Sequence, residues 1–292
     1  MLVKIFNFIT NTSPAFLRHP LSRRNRLAPF FRFFYLQLAL LLGSAIGKRT
    51  VNVRWIHDLV LPIDKGDSGL TGNYYLGLHE YSDMTFILHL LRQNELFIDI
   101  GANLGSYSLL ASGVARANTL AFEPVPVTYQ KLVRCVQHNS LLDKIMTRRL
   151  ALAERIDSYE QYFTADQGAM NTFAENKYQG QRVLVQVSTL DAECQALDPV
   201  AIKIDVEGSE ARVLKGGFHT LRNESLLTVI SEDRSDQVYK ILYEAGFVKI
   251  EYFHSTRSIS TKLQNLSNSI WIKKNRMLDI LYRLSSAEEL IS

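Results

Sequence analysis

The segment Phe97-Ile98-Asp99-Ile100-Gly101-Ala102-Asn103-Leu104-Gly105 limits what this chain can fold into more than any other stretch. A short apolar run ends in an acid, a glycine turn follows, and Ser106 to Val114 is amphipathic. That order predicts a buried parallel strand, a tight turn and a helix N-terminus. Glycine lets the backbone approach a ligand closely, because no side chain intervenes. Two later runs complete the pattern. Asn118 to Phe122 leads into Glu123, and Ile202-Lys203-Ile204-Asp205-Val206-Glu207-Gly208 reads as a strand two units further on. Strand and helix alternate through the rest of the chain, which predicts an α/β fold with a mostly parallel sheet and helices on both faces.

The turn has the wrong spacing for a dinucleotide. A dinucleotide fingerprint needs a middle glycine so that backbone can touch the pyrophosphate, and Asn103 stands at that place. The pattern D-x-G-x-x-x-G instead resembles motif I of class I S-adenosylmethionine (SAM) methyltransferases. Glu123 lies about 20 residues past the turn, where an acid can accept hydrogen bonds from both ribose hydroxyls. Against these readings stand an ordinary tight turn for the glycines and a solvated strand end for Glu123.

From Phe97 to Lys273 the chain resembles the FkbM family of methyltransferases. The resemblance rests on Phe97 to Ser108, Ala121-Phe122-Glu123-Pro124-Val125-Pro126, Ser188-Thr189-Leu190-Asp191 and Ile202 to Glu210, with Gly72 to Glu80 similar to the family's lead-in. It implies a Rossmann-like class I methyltransferase fold with a seven-stranded sheet, SAM as cofactor, and most often an oxygen acceptor. The implied cofactor contacts begin with Asp99, Gly101, Ala102, Asn103, Gly105 and Ser106. They continue with Glu123, Pro124 and Asp205, and with Ala151 by its place at the end of the third strand, expected over Ile145 to Leu152.

The charged strand supplies the catalytic candidates. Strand side chains alternate faces, with same-face neighbours ~6.5 Å apart. Lys203, Asp205 and Glu207 therefore share a face if the strand runs that far. A buried charge needs a partner, and Lys203 between two carboxylates has one. The alternative is an ion pair that only knits the sheet together. Methyl transfer is an in-line displacement, and an alcohol acceptor must lose a proton, so Asp205 or Glu207 is the candidate general base and Lys203 the orienting group. A divalent cation on Asp205 with Glu232 or Asp233 is the weaker alternative, and no metal is expected; activity retained in excess chelator would exclude one. The seven histidines include no zinc spacing. His79 and His254 are the two placed to reach a pocket. Neither Ser106 nor Ser209 sits in a G-x-S-x-G elbow, which argues against a serine hydrolase.

The layout expected is an N-terminal basic and apolar helical extension (1–50), a lead-in covering the cofactor site (51–96), the SAM-binding domain (97–275) and a C-terminal helical tail (276–292). Strands are expected between Val51 and Leu61, ending before Pro62, with a loop over Asp64 to Gly72. Extra strands at Tyr159 to Phe163 and Val183 to Val187 flank the loop Gly168 to Thr172, an expected wall on the acceptor side. Two cysteines, Cys135 and Cys194, make no disulfide framework, which points to a cytoplasmic protein. The basic, apolar segment 18–47 is expected to pack on its own domain or a partner subunit; the alternatives are peripheral contact with the cytoplasmic membrane face and, less favoured, a membrane span. The expected acceptor is a glycan or a small, secondary-metabolite-like molecule. Nucleic acid is not an expected partner, because the core carries no basic stripe; the sequence leaves the oligomeric state open, a dimer included. The rival readings are a SAM-fold protein that binds without catalysing and a nucleic-acid methyltransferase.

Overall fold

A computed structural model of the chain describes residues 19–23, 27–164, 171–172, 181–263 and 269–287. These divide into two compact units, with the boundary between Tyr81 and Ser82.

The first unit holds the helix Ala28–Ala45, the antiparallel strands β1 (Thr50–Arg54) and β2 (Val60–Asp64), and the helix Ser68–Leu76. Strand β2 continues through Pro62, opposite Asn52. A two-stranded ribbon has only edge strands, where a missing N–H is tolerated. The expected loop from Asp64 is also shorter than the sequence suggests. Asp67 accepts a hydrogen bond from the Asp64 N–H (2.8 Å) and closes a turn, and the helix starts at once. Gly72 lies in that helix, and the His79 ring packs over it; a Cβ there would lie 2.8 Å from His79 Cδ2.

The second unit carries β3 (Leu96–Ile100), β4 (Asn118–Phe122), β5 (Ile145–Arg148), β6 (Ala151–Leu152), β7 (Asp157–Thr164), β8 (Asn171–Thr172), β9 (Gln181–Ser188), β10 (Pro199–Ile204), β11 (Thr228–Ser231), β12 (Phe247–Phe253), β13 (Ser258–Ser260) and β14 (Ser269–Lys273). The main sheet runs β13-β12-β14-β11-β10-β3-β4-β5. Strands β5, β4, β3, β10 and β11 pair in parallel, and β14 is antiparallel to both of its neighbours. The sheet thus has the Rossmann-like α/β form expected. Its eighth strand is β13, three residues of the β12–β14 connection that pair with Glu251–Phe253. Ile98, Ile100, Leu120, Phe122, Ile202, Ile204 and Val229 are buried in one core, as central parallel strands require.

Chain direction across the sheet sets the position of the site. From β3 the chain moves outward to β4 and β5, then returns to place β10 on the other side of β3. The carboxyl ends of β3 and β10 therefore flank a topological switch point, the crevice where open α/β sheets bind ligands.

One expected strand is two. Ile145 to Leu152 splits at Arg148, and Ala151–Leu152 pairs instead with Val187–Ser188 in a second sheet of order β6-β9-β7-β8. The extra strands between Tyr159 and Val187 are β7 and β9. Of the loop expected between them, Asn171–Thr172 is β8, and Gly168 to Met170 lie outside the described residues.

Candidate active site

The glycine turn is fastened to the strands on both sides. The Phe122 carbonyl accepts hydrogen bonds from the N–H groups of Gly101 (3.0 Å) and Ala102 (2.9 Å), and the Ile100 carbonyl accepts one from Asp205 N–H (2.9 Å). Gly101 has φ +77°, and a Cβ on it would sit 1.9 Å from the Asp205 carbonyl oxygen. Both left-handed backbone and close approach therefore demand glycine. Gly105 has φ +89°, and its Cβ would meet Leu132 Cδ1 at 2.6 Å. Asn103 is also left-handed, at φ 50°, a conformation in which asparagine is enriched. The turn then enters the helix Ser106–Leu109, which continues as a π-helical turn over Leu110–Val114. Ser106 is half-buried at the head of that helix.

This left-handed turn aims the Asn103 N–H at Glu123 Oε2 (3.1 Å), while Glu123 Oε1 accepts the Val125 N–H (3.0 Å). Glu123 is only 3% exposed, so it is not a solvated strand end. Burial pushes its carboxyl from 4.5 up to about 8, against the two N–H bonds, which favour the ionised form. The folded chain thus holds a proton that the unfolded chain has released. Glu123 accordingly lowers stability as the pH rises from about 4.5 to about 8. Pro124 is buried beside it, and Ala151 packs with Val125 in a small apolar cluster.

Lys203, Asp99 and Asp205 come together at the centre. Lys203 is paired with Asp99 across β10 and β3 and is 3% exposed. Its Nζ donates to Asp205 Oδ2 at 2.6 Å and lies 4.6 Å from the centre of the Tyr107 ring. Asp99 is fully buried and accepts the Ser108 hydroxyl at 2.6 Å. Burial pushes its carboxyl up, while Lys203 and Ser108 pull it down. Ser108 and Tyr107 are the contributors that sequence reasoning missed. Their signal was available, since the first turn of a helix that follows such a loop must face the strand ends.

The alternation argument stops at Ile204. Strand β10 ends there, and Glu207 adopts φ 51° in a turn with Gly208 at φ 91°. Glu207 therefore does not follow Asp205 by strand periodicity. It is brought back by the turn, so that carboxylate oxygens of Asp205, Glu207 and Glu232 lie within 4.8 Å of one another, a cluster that could hold a metal ion. Asp233 instead caps its own loop by accepting the Ser235 N–H (2.7 Å). Beneath the turn, Glu210 is 1% exposed. One of its oxygens accepts the Val206 N–H (3.3 Å), and the other has no hydrogen-bond partner. Burial pushes its carboxyl up, and Asp233 and Asp205 add to the shift.

One flagged residue serves the scaffold. Asp191 accepts bonds from the Thr220 N–H (2.7 Å), the Thr220 hydroxyl (2.8 Å) and the His219 N–H (3.0 Å). His79 belongs to the first unit, where its N–H donates to Asn73. His254 is half-buried just past β12. Cys135 and Cys194 are free and buried, and burial pushes the Cys194 thiol up to about 12.

The chain is similar to several known proteins. Hexuronic acid methyltransferase AglP of Haloferax volcanii is 26% identical over 170 residues, covering 57% of this chain and 69% of that protein. Methyltransferase sdnD of Sordaria araneosa is 25% identical, covering 57% of this chain and 79% of its own. Among solved structures, a protein of the NADB-Rossmann superfamily from Streptococcus agalactiae superposes with a TM-score of 0.40 at 15% identity. That match covers 65% of each chain, so this chain spans just under two thirds of that structure. Precorrin-6y C5,15-methyltransferase from Geobacter metallireducens gives a TM-score of 0.40 at 11% identity over 66% of this chain and 86% of its own. The model of the methyltransferase FkbM domain matches residues 99–264, more than half of the chain and the whole span from Asp99 through the Lys203–Asp205 pair. The chain belongs to the FkbM methyltransferase family.

Proposed function

We propose that this protein transfers a methyl group from SAM to a hydroxyl of a glycan or small-molecule acceptor. The observation that carries the reading is the charge around the glycine turn. Asp99 and Asp205 both add to the rise of the Glu123 carboxyl, Asp205 adds to that of Asp99, and Lys203 is tied to Asp205 among them. A pyrophosphate would meet three carboxyl groups there, whereas a sulfonium cation and two ribose hydroxyls suit them. SAM, when bound, supplies an electrophilic methyl group on that sulfur. Glu123, whose oxygens each accept one backbone N–H, has lone pairs left for the ribose. Asp205 is the base for the acceptor hydroxyl, and Lys203 holds it in place. The glycan assignment is supported by the name of the Haloferax volcanii relative, a hexuronic acid methyltransferase.

Calorimetry with SAM, S-adenosylhomocysteine and NAD tests the cofactor. The first two should bind and NAD should not. Glu123→Ala should lose two charge-assisted hydrogen bonds to the ribose, about 1.5–3 kcal/mol each. Binding by that variant equal to the parent's would sink the reading of Glu123. Affinity for S-adenosylhomocysteine should also strengthen as the pH rises towards about 8, where Glu123 ionises. In Glu123→Gln this dependence should vanish. Labelled methyl transfer onto uronic-acid glycosides and small hydroxylated acceptors then tests the reaction. SAM binding with no transfer to any of them would favour a binding protein.

A further inference from the structure

We propose that the helix Ala28–Ala45 lies in the plane of an anionic lipid surface, with its outer face among the headgroups. The helix is amphipathic in reverse. Its inner side packs on its own unit through Pro29, Phe33 and Leu36, with the Phe33 ring edge-on to Tyr75 at 5.5 Å. Its two long polar side chains turn to that unit as well. Arg32 donates to the carbonyls of Tyr74 (3.3 Å) and Tyr75 (3.4 Å), and Gln37 donates to the Tyr75 hydroxyl (3.3 Å). Facing outward are Phe31, Phe34, Tyr35, Leu38, Leu41 and Leu42, each 45–69% exposed. They recur at steps of three and four residues and form one stripe along the helix. A helix whose outer face met only water would carry charge there. A contiguous apolar patch of this kind marks an interaction surface.

Charge selects the occupant. The first 50 residues contain eight lysines and arginines and no acid, whereas the rest of the chain has 25 basic and 29 acidic side chains. Arg23, Arg24 and Arg26 precede the helix, and Lys48 and Arg49 follow it. Apolar residues along a helix with basic residues at both ends match an anionic interface, where each Lys or Arg near the surface adds attraction. A second copy of the chain would instead bring two like-charged segments together. The helix is long and apolar enough to cross a membrane. Crossing, however, would strip Arg32 and Gln37 from their partners and draw the buried Phe33 and Leu36 out of the unit.

Sedimentation of the full chain with vesicles tests the proposal, with phosphatidylglycerol-rich vesicles compared with pure phosphatidylcholine. A Phe31→Gln/Leu38→Gln/Leu42→Gln variant is run alongside. The parent should bind the anionic vesicles at least about tenfold more tightly and be released by high salt, which screens exposed charge. The variant should lose binding without a change in its thermal unfolding. If it misfolds, Lys48→Glu/Arg49→Glu keeps the stripe and should erase the preference for anionic lipid. A parent that stays in solution, binds both vesicles equally, or resists salt and alkaline carbonate as a spanning protein would overturn the proposal. So would a dimeric parent that ignores vesicles and whose stripe variant is monomeric.

Discussion

Asp205→Asn should lower methyl transfer by ~10²–10⁴-fold, the contribution of a positioned general base, and leave binding of S-adenosylhomocysteine nearly unchanged. The amide keeps an oxygen in the place where Asp205 Oδ2 now accepts Lys203 Nζ at 2.6 Å, so the geometry should survive while the proton acceptor is lost. Lys203 also retains the field of Asp99, so the change leaves no lone buried charge. The rate should be read by single-turnover transfer to an acceptor found in the screen, and binding by calorimetry. Turnover equal to the parent's would move the base elsewhere, with Glu207 next in line because its carboxylate lies within 4.8 Å of that of Asp205. If cofactor affinity fell with turnover, Asp205 would be a binding residue and not the base.

The second large effect is on stability. Gly101→Ala should destabilise the protein by roughly 2–5 kcal/mol, the sum of a left-handed alanine and an overpacked contact. The contact is with the carbonyl oxygen of Asp205, 1.9 Å from the new Cβ. Backbone cannot rotate out of the way as a side chain end can. Relief therefore requires β3 and β10 to part, which displaces Asp205 itself. Gly246→Ala is the control. Its φ is +86°, yet nothing lies within 4 Å of the added Cβ, so it should cost only the conformational part, about 1–2 kcal/mol. Urea unfolding midpoints compare the two, and equal losses would show that the close approach at Gly101 does not matter. Only Gly101→Ala should also abolish cofactor binding.

Much of this fold can be read from the chain because local and global signals agree. The apolar runs Phe97 to Ile100, Asn118 to Phe122 and Ile202 to Ile204 each end at a glycine or an acid, and each lies in a strand of the main sheet. Where packing overrides local chemistry, the reading fails. Gly66, Gly69 and Gly72 look like a loop, but the His79 ring takes the space beside Gly72 and the segment is helical from Ser68. Two-residue periodicity carries Asp205 to its partner Lys203 but not Glu207 to its place, since a left-handed turn breaks the period. The position of Glu123 after its strand is evident from the sequence. Its near-complete burial is not, because that depends on what Arg148, Asn103 and Val125 do around it.

The place of β14 has a consequence for synthesis. Ser269–Lys273, near the end of the chain, inserts between β11 and β12, which are made earlier, and all five of its residues are buried. As the chain leaves the ribosome, β11 has only one side satisfied, and β12 can join only the three residues of β13 until Lys273 emerges. The nascent protein therefore carries an open, apolar strand edge from the emergence of Ser231 to that of Lys273, a template for pairing with other chains. Completion of the sheet is a late and non-local event, so chaperone demand should peak just before the last strand slots in.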